Sequence, residues 1–244
     1  MQSRAYFDQS RQPRYSLLFA LPLLLLYEGL AMLLSGSAMA GIRNGADVLL
    51  KTLFVSVGGR WGLLLFGLVL TGVGAWFFTQ DRSANPGPLE RRVFGVMFVE
   101  SIIYAMIFGQ VVSWLTGMLL GGGTLVVVMQ STLESLSFGT QLVVSLGAGL
   151  YEELLFRVIL VAILIALFKR FQWKHAVVIG AAIVGSALIF SAFHYVGPYG
   201  DQLTLASFTF RAIAGVLLSG LYVWRGFGIT AWTHALYDVF LAVF

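Results

Sequence analysis

The chain has 244 residues, 59% of them hydrophobic and only 11% charged, with a formal net charge of +4. A soluble domain carries about 25% charged residues, so this much apolar side chain has no aqueous core to fill, and lipid is the solvent the composition points to. The basic excess is modest and scattered between apolar runs, which excludes a nucleic-acid footprint, and the lack of cysteine excludes disulfides, thiolate catalysis, palmitoylation and cysteine-based zinc sites.

Taken in chain order, Arg4, Arg11 and Arg14 precede a first apolar run at 16–34, and Ala38-Met39-Ala40 has the form of a signal-peptide cleavage site. The run is longer than the roughly 7–15 residues of a signal-peptide core and Glu28 interrupts it, so an uncleaved transmembrane helix is expected. Further runs at 61–79, 93–120, 138–168, 176–195, 205–224 and 227–244 each approach the ~20 residues a bilayer requires. The expected fold is all-α, a polytopic membrane helix bundle with about seven transmembrane helices. An eighth span or a re-entrant piece is the alternative for 41–59. Val48, Leu49, Thr52 and Leu53 make that segment amphipathic, which favours a surface helix. The third and fourth runs are long enough to tilt, protrude or break, and the last is short enough to lie at an interface.

Loop charges orient the bundle. With the N-terminus in the cytoplasm, that side holds Arg4, Arg11, Arg14, Arg82, Arg91, Arg92, Lys169, Arg170, Lys174 and Arg225, and the outside holds Arg43, Lys51 and Arg60. The asymmetry follows the positive-inside rule. Asn85-Pro86-Gly87-Pro88 marks a cytoplasmic turn, Gly121-Gly122-Gly123 an outer loop, and Gly197-Pro198 the end of the fifth span. With no repeat and no soluble portion, residues 1–244 read as one integral membrane domain, expected in a bacterial inner (plasma) membrane.

Ionisable groups inside a bilayer cost ~2.5–3.5 kcal/mol each on insertion scales and usually serve a purpose. The candidates are Glu28, Glu100, Glu152, Glu153, Arg157, His194, His234 and Asp238. Glu153 and Arg157 are four apart and share a helix face. Glu152 is turned about 100° from Glu153, so Arg157 cannot serve both carboxylates equally. This predicts a buried Glu153–Arg157 pair with Glu152 facing a cavity. Ser145, Ala148 and Gly149 precede Glu152 on its own face. Such small residues either admit another helix closely or leave room for a substrate. His234 and Asp238 share a face at i, i+4. His194 ends the fifth span above Ser191 and Ala187, and His175 reads as an ordinary loop residue. Glu28 and Glu100 read as structural carboxyls, hydrogen-bonded to neighbouring helices in the protonated form.

A glutamate with histidines suits activation of water, and imidazole donors suit an oxyanion. No Gly-x-Ser-x-Gly elbow surrounds Ser191. The chemistry this points to is hydrolysis of an amide or ester within the membrane. Two histidines and a carboxylate are also a zinc-competent donor set, although no His-Glu-x-x-His motif is present.

Glu152-Glu153-Leu-Leu-Phe-Arg157 resembles the EExxxR motif of the CAAX-protease and bacteriocin-processing (CPBP, or Abi) family. Phe190-Ser-Ala-Phe-His194 is similar to its FxxxH motif, and His234-Ala-Leu-Tyr-Asp238 to its HxxxN or HxxxD motif. The three occur in the family's order within 138–244. The resemblance implies an intramembrane protease acting on a membrane-anchored or lipidated protein, by CAAX-type processing or cleavage of a C-terminal sorting signal. Glu152 and His194 would activate water, His234 and Asp238 would form the oxyanion hole, and Arg157 would hold the glutamates. A metal-free glutamate mechanism is favoured over zinc, so no cofactor is expected. Asp238 stands where some members carry asparagine. An ionised aspartate cannot donate to an oxyanion, so either Asp238 is protonated or it only orients His234, which then donates alone; the second is expected. The rival readings are a transporter using the same charges as a proton relay and a non-catalytic membrane scaffold.

Overall fold

A computed structural model describes residues 3–35, 43–121, 136–197 and 200–243, and among them the chain forms helices and turns with no strand. Ala38-Met39-Ala40, Gly122-Gly123 and Pro198 lie outside the described residues. The helices are α1 (Ser3–Ser10), α2 (Pro13–Ser35), α3 (Gly45–Gly58), α4 (Gly62–Ala84), α5 (Arg91–Leu120), α6 (Phe138–Gly147), α7 (Val161–Phe168), α8 (His175–Phe193), α9 (Leu205–Arg225) and α10 (Phe227–Val243). A π-helix, Ala148–Leu160, joins α6 to α7.

Five helical stretches are long and apolar enough to cross a bilayer: Pro13–Leu34, Gly45–Ala84, Arg91–Leu120, His175–Phe193 and Leu205–Arg225. The chain is an integral membrane protein. Of the two long runs, α5 is continuous over 30 residues. The 138–168 run stays helical but changes register: within Ala148–Leu160 the bonding shifts to i→i+5, and the N–H of Val161 reaches Phe156 O.

Local chemistry explains where the helices start and stop. Asn44 caps α3, its side chain accepting from the N–H of Ala46. Thr204 caps α9 by accepting from Ser207 N. Gly121 follows α5 in the left-handed region at φ 69°, where a side chain would be strained.

The segment at 41–59 is not a peripheral surface helix. Val48, Leu49 and Leu53 face outward, but Ala46, Asp47 and Leu50 are buried, and α3 packs on α4 and the π-helix. The last helix differs from expectation too. Instead of lying at an interface, α10 sits in the middle of the bundle, touching α2, α5, α6, α9 and the π-helix. Lipid tails are as apolar as leucine, so helices associate in a bilayer through close packing and polar contacts rather than hydrophobic exclusion. Both devices surround α10. A Cβ on Gly228 would fall 2.7 Å from Ser16 O, so α10 starts directly against α2. There Gly228 N donates to Ser16 Oγ at 3.0 Å and Trp232 Nε1 to Phe19 O at 2.7 Å.

Glu28 and Glu100 sit in ion pairs, which corrects the expectation of protonated, hydrogen-bonded carboxyls. Arg225 grips Glu100 through Nε at 2.6 Å and Nη2 at 2.8 Å, and Nη2 also donates to Ser10 Oγ. Tyr6 and Tyr104 donate to the same carboxylate, so this cluster ties α1, α5 and α9 together. Burial, with Glu100 beside it, raises the Tyr6 phenol above its ordinary range. Glu28 meets Arg43 at 2.6 Å and Lys51 at 3.1 Å. A guanidinium or ammonium offered at that distance stabilises the ionised carboxylate directly, which removes the reason for protonation.

Candidate active site

The π-helix carries Glu152, Glu153 and Arg157, all buried. Its glycine fixes how close the neighbours come. A Cβ on Gly149 would fall 2.3 Å from Ala231 O and 2.5 Å from Ala235 Cβ. Of the two uses open to the small residues before Glu152, the one at Gly149 is therefore helix approach, and it brings α10 against the π-helix.

That approach brings His234 to Glu153. His234 Nδ1 lies 2.7 Å from Glu153 Oε1, and a carboxylate can only accept, so Nδ1 carries the hydrogen. Glu153 Oε2 lies 3.1 Å from Arg157 Nε. The Arg157 guanidinium stacks over the Phe190 ring at 4.3 Å from its centroid. Glu153 thus links α10 to its own helix. The other His234 nitrogen, Nε2, is 3.6 Å from Asp238 Oδ2. The residue that fixes the ring is therefore Glu153, and Asp238 faces the nitrogen that would donate. Asp238, expected to orient His234, thus shares the ring with Glu153, which makes the tighter contact. The i, i+4 partner on α10 reaches Nε2, while the tighter contact comes across the helix interface.

Glu152 faces a different set. Its Oε2 is 3.9 Å from His194 Nε2. His194 Nδ1 lies 2.9 Å from Phe190 O, which again can only accept, so the neutral ring presents the lone pair of Nε2 towards Glu152. Ser191 is no nucleophile in this arrangement, since its Oγ donates to Phe208 O at 2.7 Å. The six residues singled out in the sequence thus come together around α10, the π-helix and the end of α8, with Phe190 touching three of them.

Two contributors escaped the sequence reading. Asn44 Nδ2 donates to Glu152 Oε1 at 2.8 Å. Its position before an amphipathic run with Asp47 in the first turn marks a helix start, but nothing local marks its partner. Arg211 lies inside the 205–224 run and binds Asp201, Ser207 and Tyr195. The N–H of Asp201 donates to His194 O at 2.9 Å, so this cluster holds the loop that follows His194. An arginine within an apolar run, four residues after Ser207, was the signal available for it. Near Glu152, Arg43 sits between Glu28 and Asp47. Burial works against its charge, but contacts with Glu28 and Tyr27 prevail and raise its guanidinium above the ordinary value.

As a metal site the donors fit poorly. Among the described residues no three His, Cys, Asp or Glu side chains are arranged to hold an ion, and Glu153 already engages His234 Nδ1. The arrangement suits acid–base chemistry: a carboxylate and an imidazole lone pair facing one gap, with a second imidazole fixed nearby.

A helical membrane protein with a buried glutamate–histidine site is the class these features define. Residues 134–240 match the family model described as type II CAAX prenyl endopeptidase Rce1-like, a model of the CPBP family. No curated protein matches the chain, and no solved structure does.

Proposed function

We propose that this protein is an intramembrane endopeptidase that hydrolyses a peptide bond in a membrane-anchored or lipidated protein, with Glu152 and His194 activating water. The family match supports the class of reaction. One observation carries the mechanism: Glu152 Oε2 and His194 Nε2 face each other at 3.9 Å. That is too long for a direct hydrogen bond and suits one water bonded to both. Glu152 takes the water's proton as its oxygen attacks the carbonyl carbon. The carbonyl π electrons move onto oxygen, and His234 Nε2 donates to that oxyanion. The C–N bond then breaks and Glu152 returns the proton to the leaving amine. Because Nδ1 of His234 already donates to Glu153, Nε2 donates only when the ring is doubly protonated. Carboxylates at 2.7 Å and 3.6 Å, one at each nitrogen, suit that cation.

In this reading seven spans cross a bacterial inner membrane with the N-terminus in the cytoplasm, and the site opens outward. The 19 residues of α8 separate Lys174 from His194, a rise of about 28 Å, so the site lies away from the basic end of the bundle. Exported proteins with membrane anchors suit such an opening.

Terminal-peptide mass spectrometry of membrane and secreted fractions tests the proposal, comparing cells carrying the wild-type protein with cells carrying Glu152→Gln. New protein termini that disappear in the variant are expected, and they name the substrate. Identical termini, with both proteins folded and expressed, would sink the protease reading.

A further inference from the structure

We propose that Asn44, in the turn before α3 and outside the 134–240 match, is a positioning residue: its amide holds Glu152 Oε1 so that Oε2 points at His194. The inference rests on the reading of Glu152 as the base. Asn44 is 3% exposed, and its side chain has both ends assigned. Oδ1 accepts from the N–H of Ala46 at 2.8 Å, which only an oxygen can do, so Nδ2 is the atom that donates to Glu152 at 2.8 Å. The backbone around it is clamped as well. Asn44 N donates to Tyr27 Oη at 3.2 Å, and Tyr27 Oη donates to Asp47 Oδ2 at 2.7 Å. Asp47 Oδ1 lies 2.7 Å from Lys51 Nζ. Room for the clamp comes from Gly147, where a Cβ would fall 2.6 Å from both Asn44 Cβ and Tyr27 Cε2.

The chemistry needs a neutral donor at this point. A carboxylate free to rotate divides its time among orientations, and a base displaced by 1 Å forfeits about 100-fold in rate. Asn44 fixes one oxygen without contributing a charge, which leaves the other aimed at the gap shared with His194. A cationic residue there would hold Glu152 more strongly and make it a weaker base. A carboxylate would repel it.

Capping and positioning can be separated. Asn44→Asp and Asn44→Ser both retain an N-cap oxygen for α3. The first loses the donor and sets a carboxylate against Glu152; the second loses the donor without adding charge and is too short to reach. The full-length wild type and both variants are assayed on the protein whose new terminus depends on Glu152. The expected result is kcat lower by about 100-fold with KM unchanged, because Asn44 touches the base and not the substrate, with thermal unfolding midpoints matching wild type. Wild-type kcat in either folded variant overturns the role, as does a change confined to KM. Failure of both variants to fold makes Asn44 a structural cap and overturns it too. If wild type yields no Glu152-dependent terminus, the protease reading itself fails, before any Asn44 variant is made.

Discussion

Arg157 shows how much the site asks of single side chains. It is 1% exposed, and among the described residues its carboxylate contact is with Glu153, which is 0% exposed. Its Nη1 and Nη2 find no hydrogen-bond partner among the described residues, and the Phe190 face at 4.3 Å supplies a cation–π contact in their place, worth about 2 kcal/mol when desolvated. A buried ion pair of this kind is weak evidence of net stabilisation, but removing one member leaves an uncompensated charge. Arg157→Met is therefore expected to destabilise the protein by about 3–5 kcal/mol, read as a lower thermal unfolding midpoint in detergent. Adding Glu153→Gln to Arg157→Met should restore much of the loss, since the orphaned charge is then gone. A single variant as stable as wild type would show that His234 alone compensates Glu153.

At the scale of elements, the π-helix and α10 act as one unit because Gly149 lets them touch. A methyl group on Gly149 would meet Ala231 O at 2.3 Å, and backbone cannot step aside as a flexible side chain can. Gly149→Ala should push α10 away and lengthen the 2.7 Å contact between His234 and Glu153, while the Asn44–Glu152 contact, made on α3, stays in place. Overpacking of this kind costs about 1–3 kcal/mol, so the protein should fold with a modestly lower midpoint and lose most of its Glu152-dependent cleavage. Gly72→Ala, where nothing lies within 4 Å, is the matched control and should change neither. Full cleavage by Gly149→Ala would mean that the His234–Glu153 contact is dispensable.

For the whole molecule, the issue is which way the site faces. Arg82, Arg91 and Arg92 flank the α4–α5 connection and Lys169, Arg170 and Lys174 the α7–α8 connection, and His194 lies at the far end of α8 from Lys174. The chain contains no cysteine, so single introduced thiols report sidedness without background. Leu203→Cys, in the exposed loop beyond His194, is expected to react with a membrane-impermeant maleimide in intact spheroplasts. Ser83→Cys, exposed beside Arg82, should react only after permeabilisation. The opposite labelling would turn the bundle over and direct the site to cytoplasmic substrates.

Composition and local spacing were enough to read the solvent, the helical class and the three clusters of polar residues in apolar segments. Those features are local: a charge amid twenty apolar residues is conspicuous, and i, i+4 spacing sets Glu153 beside Arg157 and His234 beside Asp238 whatever the rest of the chain does. Tertiary structure decided the pairings that cross between helices. Asn44 meets Glu152 across 108 residues, a separation no periodicity encodes. Glu153 rather than Asp238 became the tight partner of His234, because Gly149 admits α10 to within backbone contact. The π register of Ala148–Leu160 was hidden too, since i→i+4 and i→i+5 bonding draw on the same apolar pattern. The central place of α10 could not be read from its composition either: in a membrane, a helix that is apolar on every side looks the same whether lipid or protein surrounds it.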